Sequence, residues 1–205
     1  MVSIFDQTTF KKGLSYLTNK DPDLNKVISE IKQGPPVFKR TKGFKGLVNL
    51  IVEQQLSVAS AKAIFKRLEH KMTSFSPENF LKIRPTEFNE IGLSRQKISY
   101  CTELAKACVQ SDINFEDIEK LNDKEAVNFL IKFKGIGEWT AQCYLLACLG
   151  RRDAWPGSDL GLQSAIQNVK RLDKRPNLLT TNEIADSWKP YRGVAALILW
   201  STYDI

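Results

Sequence analysis

The stretch that most constrains the fold is Phe133-Lys-Gly-Ile-Gly-Glu-Trp139-Thr-Ala, two glycines set between two apolar runs of helical period. Upstream, Glu125, Ala126, Phe129, Leu130 and Phe133 recur at helical spacing; downstream, Ala141, Leu145, Ala147 and Leu149 resume it. Two helices joined by a tight turn satisfy both runs. Gly135 and Gly137 permit backbone angles closed to other residues and let another backbone come close. A helix beginning just after them presents unpaired N–H groups and a partial positive charge. Such a helix start binds anions, and a phosphodiester is the obvious anion. Farther along, behind a Pro156-Gly157 turn, stands a carboxylate, Asp159.

Gly135-Ile-Gly-Glu-Trp-Thr-Ala141 followed by Pro156-Gly-Ser-Asp159 resembles the helix-hairpin-helix and Gly/Pro…Asp signature of the DNA glycosylase superfamily. Within it the chain is most similar to the DNA-3-methyladenine glycosylase II family, and the resemblance runs from about Phe44 to Tyr203. Each short motif is weak alone; their order and spacing are the strong signal. The resemblance implies an all-α helix-hairpin-helix glycosylase fold without an N-terminal β domain. Two helical lobes would flank a central cleft, one from about residues 1–44 and 146–205, the other from about 45–145. The helix-hairpin-helix would occupy about 123–149, and Asp159 would face the cleft.

The implied activity is excision of 3-methyladenine and related alkylated purines from duplex DNA. Cleaving an N-glycosidic bond builds oxocarbenium-like charge on the sugar, which a facing carboxylate stabilises while it orients or deprotonates water. O-glycosidases need a second acid for the leaving group. An alkylated purine already carries positive charge, so one carboxylate suffices. Asp159 is the candidate, and its bland alternative is a helix N-cap before Leu160-Gly-Leu-Gln-Ser-Ala-Ile166. Asp153 precedes the turn and is expected to pair with Arg151 or Arg152. Relatives that also nick the strand carry a lysine nucleophile where this chain has Trp139, so water should attack and an abasic site should remain. Lys132 and Lys134 lie on the other side of the glycines.

The target base must leave the duplex to be reached. Aromatic walls then bind it, and a cationic base gains more from them than a neutral one. Trp139, Trp200 and, less strongly, Trp188 match pocket positions of the resembled family, core packing being the alternative for each. In some members aromatic residues stand where this chain has Cys143 and Leu160. The amides of Gly135, Ile136 and Gly137 would hold phosphate, although Glu138 repels it. Family hairpins also hold a monovalent cation on backbone carbonyls, here those of Ile131, Phe133 and Ile136; no other cofactor is implied. The family's Gln-rich junction, here Gln54, Gln55 and Leu56, enters the minor groove and fills the gap left by the flipped base. Gln55 and Leu56 are equal candidates for the filling side chain, and Ser57 capping a helix is the structural alternative.

Elsewhere the chain reads as helices. Phe10, Leu14 and Leu17, then Leu24, Val27 and Ile31, suggest one or two before a Gly34-Pro35-Pro36 stop. Leu47, Ile51, Val52, Val58, Ala61, Ile64, Phe65 and Leu68 mark an inward stripe. Ser76-Pro77, Pro85 to Gly92, and Ser94 as an N-cap over Ile98, Cys101, Leu104 and Ala105 mark three more segments. Arg95 and Lys97 read as phosphate contacts or as a solvated helix start, and Asp123 as an N-cap. After Asp159 come a helix to about Lys170, a linker with Arg175-Pro176-Asn177, and a last block from Ile184 to Trp200.

Net charge of +7 favours a polyanionic partner without deciding it. Cys101, Cys108, Cys143 and Cys148 form no Cys-x-x-Cys pair, and His70 stands alone, so zinc and iron–sulfur sites are not expected. Reduced thiols, no signal segment and no long apolar run predict a soluble intracellular protein with no membrane partner; the resemblance implies a monomer whose partner is damaged double-stranded DNA. Two other readings stay open: a helix-hairpin-helix module that only grips DNA, and a glycosylase/lyase for oxidised bases.

Overall fold

The computed structural model describes residues 6–31 and 38–203. In chain order its helices are α1 (Gln7–Lys20), α2 (Pro22–Glu30), α3 (Phe44–Glu53), α4 (Val58–His70), α5 (Pro77–Phe80), α6 (Pro85–Ile91) and α7 (Arg95–Val109). There follow α8 (Phe115–Lys120), α9 (Asp123–Leu130), α10 (Glu138–Ala147), α11 (Leu160–Lys170), α12 (Leu178–Asp186) and α13 (Arg192–Ser201). The fold is all-α, with no β-strand among the described residues. No helix among them is long and apolar enough to cross a membrane. The chain forms two compact units, Arg40–Tyr144 and the described residues on either side of it.

In the unit made from both chain ends, α13 packs on α1, α2 and α11, and α12 on α11. Val194, Ala195, Ala196, Ile198 and Leu199 of α13 are fully buried or nearly so. The buried face of α1 is Thr9, Gly13 and Leu17, not the expected Phe10, Leu14 and Leu17. The reason is a close approach: a Cβ on Gly13 would lie 2.9 Å from Val194 Cγ2. Between α1 and α2, Asp21 caps the second helix through the Asp23 and Leu24 amides, at 3.0 and 3.3 Å. The same carboxylate takes Lys170 Nζ at 2.7 Å on both oxygens and the Trp188 indole N–H at 2.7 Å. Burial pushes the Asp21 carboxyl upward, but the bonds from Lys170, Trp188 and Leu24 outweigh it and hold the group below its usual range. A buried charge is tolerable only when its lone pairs are met in this way.

The last block of the chain is two helices and not one. Asn177 caps α12 through the Thr180 amide at 3.0 Å, α12 stops at Asp186, and Pro190, which has no N–H to donate, lies in the break before α13. The Gly34-Pro35-Pro36 stop lies outside the described residues; α2 ends at Glu30, with Ile31 at its C-cap.

In the other unit α3 is the apolar centre, with Leu47, Val48, Leu50, Ile51 and Val52 all at 0% exposure. Each such burial contributes roughly 1.5–3 kcal/mol. The helix packs on α4 and α7. Phe44, Phe75, Phe80, Phe65 and Phe88 extend the core as a chain of ring contacts 5.3 to 5.9 Å apart. Val58 does not join it: at 83% exposure it stands outward on the first turn of α4, whose inward stripe begins at Ala61. The N-cap of α9 is Asn122 and not Asp123, because Glu125 reaches back to the Asn122 amide at 3.1 Å and completes a capping box.

Candidate functional site

The hairpin is built by short backbone bonds. Phe133 N–H donates to Leu130 O at 3.1 Å, Ile136 N–H to Phe133 O at 3.1 Å, and Ala141 N–H to Gly137 O at 3.0 Å. Gly135 has φ +85°, and a Cβ there would overlap the Tyr100 ring. Gly137 has no left-handed φ; it is exposed, and no heavy atom lies within 4 Å of where its Cβ would be. Of the two glycines, only Gly135 therefore answers to internal sterics, and Gly137 leaves an open approach to the backbone from outside. Glu138 is the exposed first residue of α10, and Trp139, half-buried, is the second. The carbonyls of Ile131, Phe133 and Ile136 fall within this one turn; that of Phe133 is already bonded to Ile136 N–H and keeps a second lone pair. No group of three His, Cys, Asp or Glu side chains among the described residues could hold a metal ion.

In the same unit, the junction after α3 is tied from three sides. Gln54 Nε2 donates to Gly135 O and Thr140 Oγ1, both at 2.9 Å, so its amide joins the junction to the hairpin. Arg40 holds Glu53 at 2.7 Å. Lys97 Nζ reaches Val52 O at 2.8 Å and Gln54 O at 2.7 Å. Lys97 is thus not a solvated helix start, since its ammonium is given to two backbone carbonyls; burial pulls it below the usual range. Within this frame Gln55 is exposed, with φ +54°. Leu56 is 40% exposed, and Ser57 caps α4 through the Ser60 amide at 3.3 Å. A left-handed backbone at a residue other than glycine costs about 1–2 kcal/mol.

In the other unit, the turn before α11 is stitched by Asp159 N–H to Pro156 O at 2.8 Å and Gln163 Nε2 to Gly157 O at 3.1 Å. Gly157 has no room for a Cβ against Asn182 and Trp155. Asp159 is the N-cap of α11: Oδ1 accepts the Leu162 amide at 2.8 Å and the Trp200 indole N–H at 3.2 Å. The capping and catalytic readings of this residue therefore name one and the same carboxylate. Phe38 meets the Trp200 ring edge-on at 5.1 Å, and Tyr203 Oη donates to Gly161 O at 2.6 Å. Burial, with the Asp159 charge behind it, pushes the Tyr203 phenol upward.

The model of the HhH-GPD superfamily of base excision DNA repair proteins matches residues 48–190. The chain belongs to that superfamily. The DNA-3-methyladenine glycosylase 1 of Schizosaccharomyces pombe is 26% identical over 95% of this chain and 88% of its own length. A putative DNA-3-methyladenine glycosylase of Bacillus subtilis is 25% identical over 86% of the chain; the alignment spans 64% of that relative. The solved structure of the S. pombe 3-methyladenine DNA glycosylase in complex with abasic DNA superposes with a TM-score of 0.84, covering 95% of this chain and 97% of that one.

Among the expected pocket residues of this HhH-GPD protein, Trp200 is half-buried beside Asp159, whereas Trp188 is at 0% exposure with its N–H on Asp21. Trp188 also stacks edge-on with Trp155 at 5.6 Å and is a core anchor, not a pocket wall. Asp153 pairs with Arg192 at 2.7 Å and not with Arg151 or Arg152, because Arg192 begins α13 and its amide also reaches the carboxylate, at 3.2 Å. Cys143 is fully buried, and Leu160 is 61% exposed next to Asp159. Tyr100, Phe38 and Tyr203 were not picked out by the motifs, and Lys97 was picked out for another role. Their partners lie in other elements, and no local pattern marks them.

Proposed function

We propose that this chain is a monofunctional DNA glycosylase that flips out and hydrolytically excises 3-methyladenine and related alkylated purines from duplex DNA. The observation that carries the reading is Asp159, a carboxylate directed by two N–H donors on one oxygen at the head of α11. The C1′–N bond breaks with its electron pair leaving on the base, and water adds to C1′ and gives up a proton. Asp159 faces the sugar charge and orients that water. With Trp139 at the position of the lyase lysine, no amine is offered there and no Schiff base forms. Trp139 and Trp200 offer aromatic surface to the cationic base, stacking of this kind being worth ~1–3 kcal/mol per base.

Gly135 and Gly137 hold a phosphate on their amides; the amide of the buried Ile136, expected to join them, is instead given to Phe133 O at 3.1 Å. A monovalent cation on the Ile131, Phe133 and Ile136 carbonyls would offset phosphate charge. Of the two equal candidates for the vacated space in the duplex, the geometry favours Gln55, whose neighbours are held while its own side chain is exposed.

The test is base release from methylated duplex DNA, with strand scission read before and after alkali. Wild-type protein should release 3-methyladenine, and scission should appear only after alkali. Scission without alkali would overturn the monofunctional reading, and binding without release would leave a module that only grips DNA.

A further inference from the structure

The break between α3 and α4 raises a problem of missing partners. If α3 continued, the Val52 carbonyl would accept the Leu56 amide four residues on. That amide instead goes to Glu53 O at 3.3 Å, and Gln54 N–H makes only a long 3.4 Å bond to Ile51 O. The carbonyls of Val52 and Gln54 are left outside the ladder, the first on a fully buried residue. Both are met by one group, the ammonium of Lys97, at 2.8 and 2.7 Å. Lys97 sits in the first turn of α7, its own amide held by the cap Ser94 at 3.3 Å. It forms no ion pair among the described residues, so its charge is spent on the carbonyl end of α3, where a cation is favoured. Between the two carbonyls it binds and the cap of α4 stands Gln55, with its left-handed φ of +54°.

We infer that Lys97 is the positioning residue that holds the Gln55 turn open: it replaces the helix bonds of Val52 and Gln54 and so prevents residues 54–56 from winding onto α3. This rests on the reading of Gln55 as the side chain that enters the duplex. Lys97 touches no DNA and acts through Gln55. Without it, two carbonyls lose their donor, and the cheapest repair is another turn of helix, which would withdraw Gln55 from its exposed position.

The experiment is a double-mutant cycle on the full chain. Its readout is affinity for a duplex carrying a tetrahydrofuran abasic analogue, compared with the same duplex undamaged. Lys97→Met should weaken binding to the gapped duplex about tenfold, the equivalent of one charge-assisted hydrogen bond, and the undamaged duplex less than about twofold. In a Gln55→Ala background, Lys97→Met should add less than about twofold, since coupled residues are not additive. Lys97→Arg, which keeps the cation, should recover most of the loss. Equal weakening on both duplexes, or losses that multiply in the double mutant, would overturn the inference. Amide exchange at residues 54–57 without DNA tests it separately: Lys97→Met should change protection there and leave the α7 core around Leu104 unaltered. Unchanged exchange would refute it. A wild-type protein with no preference for the gapped duplex would sink the insertion reading alone, with the exchange result still deciding Lys97.

Discussion

The junction before α4 and the turn before α11 solve one geometric task in opposite ways. Each must end a segment, start a helix and present a side chain. Before α4 the work is divided: Ser57 caps, Gln54 tethers the hairpin, Lys97 closes the carbonyls, and Gln55 is left exposed. Before α11 one carboxylate does everything. Asp159 caps the helix, binds Trp200 and is the proposed catalytic group. Function and stability should therefore separate by residue at the first site and only by chemistry at the second.

The sharpest way to break that comparison is at Asp159. Asparagine caps as well as aspartate, so Asp159→Asn should change stability by less than about 0.5 kcal/mol, while Asp159→Ala should lose about 1 kcal/mol. Both should cut single-turnover base release by about a thousandfold, within the range for a lost general base or charge stabiliser. If Asn melted the protein like Ala, the two roles of the carboxylate would not be separable.

A control in the core comes next in size. Asp21→Ala strands the Trp188 indole, leaves Lys170 with Asp23 alone at 3.0 Å, and removes the cap of α2, and should cost about 3 kcal/mol in urea unfolding, the range for a broken buried pair. The sign of the pH effect follows from the lowered Asp21 pKa. Its contribution is complete above the usual carboxylate range and is lost as pH falls through the lower value it has in the fold. Urea midpoints should therefore fall in acid for wild type and fall less for Asp21→Ala.

Gly135→Ala places a Cβ into Tyr100 at φ +85° and should cost about 2 kcal/mol, read by thermal unfolding. The smallest effects sharpen the division of labour before α4. Gln54→Ala removes two bonds to the hairpin and should cost about 1 kcal/mol of stability. Gln55→Ala should change it by less than about 0.5 kcal/mol, as an exposed position does, while weakening gapped-duplex binding. Equal melting of these two variants would erase the distinction.

What could be read from the chain in advance was local. Helical spacing around Gly135 and Gly137, the amide run at the junction, and Asp159 before an apolar helix are all written within a few residues of one another. Phe10 and Leu14 were expected inward in place of Gly13 because the reason for Gly13 is Val194, on a helix at the other end of the chain. Lys97 read as a phosphate contact or a solvated helix start because its carbonyl partners carry no side-chain signal and lie 43 and 45 residues away. Trp188 looked like a pocket residue because the carboxylate that claims its N–H is 167 residues distant. Val58 joined the apolar stripe on spacing alone, yet the first turn of α4 stands clear of the core.

The bond from Trp200 to Asp159 gives the protein an optical handle. Of the four tryptophans, Trp155 and Trp188 are buried with their N–H groups on Asn182 and Asp21. Their emission reports the core. Trp139 and Trp200 are half-exposed; a base covering the rings would move the emission of both, but only Trp200 has its indole on the proposed catalytic oxygen, so neutralising Asp159 should move its signal.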